Sequence, residues 1–291
     1  MGGRRSVGRT VFNVCNAVFM VLLCVMTLYP FLFILAASFS SPLFISQGKV
    51  GMVPLGFTTT AYHMVFEYPM IWRAYFNTVF YTLFGTAINI LLTVLAAYPL
   101  SRKSFLGRRF FSLMVFVPIV FTSGLIPSFL VVNGLGLRNT VWAMVLPGAI
   151  TSFNVILMRT FFEEIPVALE ESARIDGASH SAVLFRIVLP LSIPSIATVG
   201  LFYAVGHWNS FFPALLYLRD PEMHPIQIVL RNIVIMNQTE MVMQSVESDR
   251  AQVGETIKYA TIMVATLPIL AVYPFIQKYF VKGAMLGSVK G

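Results

Sequence analysis

From Val11 to Ala37 the chain carries no charged side chain, and five further long apolar stretches follow it. Roughly 20 apolar residues in a helix cover about 30 Å of hydrocarbon. In lipid the backbone must satisfy its own hydrogen bonds, which a helix does within a single segment. A chain built this way reads as an all-α integral membrane protein. Composition agrees: 57% of the 291 residues are hydrophobic and 11% are charged, where soluble domains carry about a quarter. Arg4, Arg5 and Arg9 give the first stretch the look of a signal peptide. It is too long for an apolar region of about 7–15 residues and more stretches follow, so it reads as a retained first span.

The spans fall at about 11–37, 75–100, 110–132, 140–162, 191–218 and 256–280, six in a single transmembrane domain covering 1–291. Six spans leave both termini on one side. If that side is the cytoplasm, thirteen of the twenty Lys and Arg lie inside, with Arg102, Lys103, Arg108 and Arg109 in one short turn. This is the bias of the positive-inside rule. It accounts for the net charge of +8 without nucleic acid, for which no basic stripe is present. Cys15 and Cys24 both lie in the first span, where thiols pack as small hydrophobes, so no disulfide framework is indicated. Pro118 and Gly124–Pro127 predict a kink in span three. Broken helices and inverted repeats, which mark secondary transporters, are not evident.

The loop at 163–190 cannot sit in a bilayer, because it carries Glu163, Glu164, Glu170, Glu171, Arg174, Asp176 and Arg186. Its punctuation predicts two short helices. Pro166 suits a first helical position. Ile165, Leu169 and Ala173 form an apolar stripe, with Glu170, Glu171 and Arg174 turned away from it. Gly177 supplies a left-handed stop. A second helix runs from about Ser179 to Arg186, and Pro190 and Pro194 break the chain after it.

Glu171-Ser172-Ala173, three residues, Gly177, nine residues and then Ile187-x-Leu189-Pro190 resembles the Glu-Ala-Ala loop of ABC-importer permeases. Ser172 stands where that pattern has its first Ala. Ile175–Ala178 resembles the carbohydrate-uptake branch in particular, as do Ala97–Arg102, Gly206–Ser210 and Glu255–Ala260. The likeness covers nearly the whole chain and is to MalG-type, LplC-like permeases. It implies the type I importer fold in the bacterial inner membrane, with the loop acting as coupling helices that dock on a separate ATPase subunit. Glu171 is then the motif acid and Glu170 either a second contact or a solvated neighbour. Ser172, Ala173, Asp176, Gly177, Ile187, Leu189 and Pro190 complete the implied coupling surface. The implied partners are a second homologous permease, two ATPase subunits, an extracytoplasmic solute-binding protein, membrane lipid and a di- or oligosaccharide. ATP and Mg would be used by the ATPase subunits, with no cofactor in this chain.

No Asp or Glu falls inside a span, whereas ion-coupled transporters usually place an ionisable group near the midplane. Asn77, His207, Trp208 and Asn209 are the candidates to line a translocation path and meet a hydroxyl-rich solute. Asn77, Asn89, Asn154, His207 and Asn209 also read as hydrogen-bonding glue between helices, helped by Gly200 and Gly206, and this is the favoured reading. The chain has no G-x-x-x-x-G-K-[ST] phosphate loop, and its histidines do not cluster with cysteines. It is therefore expected not to be an enzyme by itself. A permease for a non-sugar solute and, less favoured, a secondary transporter are the alternatives.

Overall fold

The computed structural model describes residues 7–243 and 254–271. All regular structure among these residues is helical. In chain order the helices are α1 (Val7–Ser38), α2 (Pro42–Ser46), α3 (Thr60–Glu67), α4 (Pro69–Ser101), α5 (Arg108–Val120) and α6 (Leu125–Gly134). Then come α7 (Val141–Val145), α8 (Ser152–Glu163), α9 (Val167–Ile175), α10 (His180–Val183), α11 (Leu189–Leu191) and α12 (Ile193–Trp208). The last are α13 (Phe212–Tyr217), α14 (Ile226–Met243) and a helix, α15, at 254–271.

The described residues divide into two compact units, one holding 7–69 with 230–243 and 254–267, and the other 70–229 with 268–271. In the first, Ala36, Ala37 and Val50 make a small core against which Phe44, Ile45 and Tyr259 pack. The chain after α1 is held by Ser38 Oγ at 2.8 Å from Tyr62 Oη and by the Leu55 N–H donating to Ser40 Oγ. Phe39 stacks on both Phe57 and Tyr62. In the second unit the main core joins α4, α8 and α12 through Val94, Ala97, Val155, Met158, Phe162 and Val199.

Spans one and two appear as continuous helices of 32 and 33 residues, long and apolar enough to cross a membrane. The next three differ from expectation. Span three does not merely kink: α5 stops at Val120, four residues are non-helical, and α6 starts after Gly124 at φ +73°. Pro118 cannot donate into the last turn of α5, and at the start of α6 Ser128 Oγ donates back to the carbonyl of the N-cap residue Gly124 at 2.8 Å. Span four bends by 57° between Gly148 and Ser152. The chain turns by 82° at Ser192, where Pro190 and Pro194 are expected to break it ahead of span five, and span five itself is interrupted at 209–211, between α12 and α13. Broken helices are therefore present after all. Span six is helical through 271, and the rest of it lies outside the described residues. The polar residues between spans five and six include a helix, α14.

Candidate functional site

The loop at 163–190 folds as two short helices with sharply defined ends. Pro166 sits one residue before α9 rather than in its first turn. At the far end the Ala178 N–H reaches the Ala173 carbonyl at 2.9 Å and the Gly177 N–H reaches Arg174 at 3.0 Å, a Schellman closure. Gly177 has φ +84°, and no atom would touch a Cβ there. The glycine is needed for its backbone conformation alone. Ser179 then caps α10, its Oγ accepting the Ala182 N–H at 3.2 Å. The chain continues through a wider turn, Leu184–Val188, into α11.

The two adjacent glutamates part company. Glu170, expected to face out with Glu171, is 2% exposed. Its Oε1 meets Arg102 Nη1 at 2.6 Å, and Arg174 Nη2 lies 4.0 Å from Oε2. Leu169, expected on the buried stripe, is 44% exposed instead. The reason is the neighbour that α9 has: the guanidinium of Arg102 stands at the end of α4, so the inward face of α9 is set by charge. Arg102 in turn lies 4.9 Å over the Tyr98 ring and donates from Nη2 to the Phe162 carbonyl at 3.3 Å. A second knot ties the same regions, with Glu163 Oε1 accepting from Arg108 Nη2 at 2.5 Å and from Arg159 Nε at 2.9 Å. Loop 163–190 and the basic turn after α4 therefore occupy the same end of this unit.

Glu171, Ser172, Asp176, Gly177 and Pro190 are exposed, while Ala173, Ile187 and Leu189 are half-buried. An open groove of about 490 Å³ runs between α9 and the segment 186–191, lined in part by Leu169, Ser172, Ala173, Asp176, Ile187 and Pro190. Beside it Ile175 is 87% exposed. Carboxylates interleaved with uncovered apolar side chains make a surface suited to another protein more than to water.

Several polar residues of the spans pair across helices, which the hydropathy pattern does not show. Bending span four frees the carbonyls of Gly148 and Ala149, and Asn89 Nδ2 donates to both, at 2.6 and 3.0 Å. Asn89 Oδ1 accepts from His207 Nε2 at 2.8 Å, which assigns the Nε2–H tautomer. The Thr151 N–H, also freed by the bend, donates to Tyr203 Oη at 3.2 Å, and that hydroxyl pairs with Thr93 Oγ1 at 2.7 Å. His207 sits directly on Gly85, where any Cβ would collide with the imidazole. Asn77 binds the carbonyls of Glu222 and His224, at 2.7 and 3.1 Å, and so pins the turn after α13. Trp208 and Asn209 differ from these. The Trp208 indole N–H finds no acceptor among the described residues, and Asn209 is exposed, its amide donating to Val205 O one turn back. Asn154 is buried. Thr93, Thr151 and Tyr203 carry no signal as site residues in sequence, because hydroxyls are common in membrane helices. No group of His, Cys, Asp and Glu among the described residues is arranged to hold a metal.

Residues 89–285 match the model of a family described as the inner membrane component of binding-protein-dependent transport systems. Over 280 residues the chain is 44% identical to the polygalacturonan/rhamnogalacturonan transport system permease protein YtcP of Bacillus subtilis (strain 168), covering 94% of this chain and 96% of that protein. Protein LplC of the same organism is 45% identical over 281 residues, 97% of this chain and 95% of LplC. A crystal structure of a bacterial ABC transporter involved in the import of the acidic polysaccharide alginate contains a similar chain. The TM-score is 0.87 at 33% identity, over 96% of this chain and 100% of that one.

Proposed function

Because the chain belongs to the family of binding-protein-dependent transport system inner membrane components, we propose that it is the permease subunit of an ABC importer for a di- or oligosaccharide. The observation that carries this reading is the exposed face of α9, with Glu171, Ser172, Asp176 and Gly177 in the spacing of the docking motif on a preformed Schellman turn. The saccharide class rests on the relatives, whose names concern polygalacturonan, rhamnogalacturonan and alginate. The partners are a second homologous permease, two ATPase subunits and an extracytoplasmic binding protein.

In this reading loop 163–190 and the basic turn after α4 face the cytoplasm, as do both termini. The chain contributes no catalytic residue and no cofactor site. ATP and Mg belong to the ATPase subunits, whose closure carries α9 and α10 with it. The exposed carboxylate of Glu171 pairs there with a cation or with backbone N–H groups. Ala173, Ile187 and Pro190 line the groove behind it, and Leu189 packs on the core. Displacing α9 shifts the spans from inward-facing to outward-facing, so nucleotide binding at one site changes solute access at another. Along the path, Asn209 is exposed and has its amide to offer a sugar hydroxyl, with Trp208 beside it, its indole N–H buried. Asn77 and His207 serve it by holding the turn after α13 and the bend in span four.

Purification of the tagged chain from detergent-solubilised native membranes tests the assembly. An ATPase subunit and a second permease should accompany it, identified by mass. Recovery of a stable chain alone, in good yield, would contradict the proposal.

A further inference from the structure

We propose that the Arg102–Glu170 ion pair is the joint that makes α9 move with α4, so that both residues are positioning residues for coupled transport. This rests on the reading above that α9 docks on an ATPase subunit.

Geometry gives the pair this role. Glu170 and Glu171 are adjacent, one buried and one exposed, and successive residues on a helix lie about 100° apart around its axis. The helix therefore cannot turn to present Glu171 differently without drawing Glu170 away from Arg102. Arg102 is equally fixed. It follows the last residue of α4, its side chain is 13% exposed, and Tyr98 and the Phe162 carbonyl hold the guanidinium. The contact runs from one terminal nitrogen, and Arg102 Nε donates to nothing among the described residues, so the link hinges at a single point.

Chemistry separates a joint from a mere fastener. Well-packed apolar side chains would hold α9 at least as firmly, because a buried ion pair is weak support for stability. Apolar contacts such as that of Ala173 with the core can slide, however. A buried carboxylate moved off Arg102 loses its one buried partner and keeps only the looser, half-exposed Arg174 of its own helix at 4.0 Å, which gives α9 one seat on α4. From there α4 leads on to Asn89 and Thr93, which hold the bend in span four and α12. A push on α9 thus reaches the interior of the spans along one helix.

The experiment uses the complete complex in proteoliposomes, with sugar uptake and ATP hydrolysis measured in the same vesicles. The variant is Arg102→Gln with Glu170→Gln, which removes both charges and leaves no lone ion buried. It should assemble and hydrolyse ATP, while uptake per ATP falls by about tenfold, within the span expected for residues that carry coupling. Exchanging the charges, with Arg102→Glu and Glu170→Arg, should recover part of the loss. A double-Gln complex with the wild-type ratio overturns the proposal and leaves the pair as packing. If the double variant does not assemble, spin labels at Lys103→Cys and Ala168→Cys decide with the pair intact. Their separation should stay constant between nucleotide-free and ATP-trapped complexes. A change of more than about 5 Å, one helical turn, overturns the joint. A wild-type complex that shows no ATP-dependent uptake counts instead against the importer reading.

Discussion

Asn89 spends both amide hydrogens on the carbonyls of Gly148 and Ala149 and its oxygen on His207. Asn89→Leu keeps the volume roughly constant and strands two carbonyls in an apolar setting. A buried acceptor left unmade costs about 1–3 kcal/mol. The melting temperature of the purified complex should fall, while the KM for uptake stays at the wild-type value. A changed KM with unchanged melting would instead make Asn89 part of the solute path. Sequence alone leaves Asn89 and His207 open between glue and path because their partners are backbone carbonyls. Those carbonyls are freed by a bend in a stretch, Leu146–Ile150, as apolar as its surroundings. Glu170 and Glu171 are likewise indistinguishable in sequence. The inward face of α9 is chosen by Arg102, sixty-eight positions earlier in the chain, and no local periodicity encodes that partner.

At the scale of elements, the loop was the most legible part. Gly177 as a left-handed stop and Ser179 at the start of the second helix follow from local rules of helix ends, and both are where those rules put them. Gly177→Val forces a β-branched residue to φ +84°, a penalty of about 1–2 kcal/mol confined to the turn between α9 and α10. Membrane insertion and complex yield should survive while ATP-coupled uptake falls steeply. Uptake at the wild-type rate would show that the docking surface tolerates a reshaped turn. The spans were legible where helices run straight, in α1 and α4. The breaks at 121–124 and at Ser192 were signalled by Pro118, Gly124, Pro190 and Pro194, whereas the bend in span four was not read, since hydropathy reports burial in lipid and is blind to a bend whose polar groups are satisfied by a distant helix.

For the whole molecule, the ion pairs between the turn after α4 and loop 163–190 tie two connections to one end of their unit, as the charge bias of the sequence expects. In a chain lacking Cys15 and Cys24, Lys103→Cys and Asp176→Cys should therefore react with an impermeant thiol reagent only from the cytoplasmic side. Lys49→Cys should react only from outside. Labelling of positions 49 and 103 from the same side would overturn the topology. The central claim is that exposed residues of α9 convert ATP hydrolysis on another subunit into sugar movement through this one. The most direct measurement is uptake of labelled oligosaccharides, neutral and uronate, into proteoliposomes containing the purified complex and binding protein, with Glu171→Lys in parallel. The account predicts uptake that requires ATP on the α9 side and is abolished by Glu171→Lys, although the chain still inserts. Uptake that proceeds without ATP, or a Glu171→Lys complex that transports as the wild type does, would contradict it.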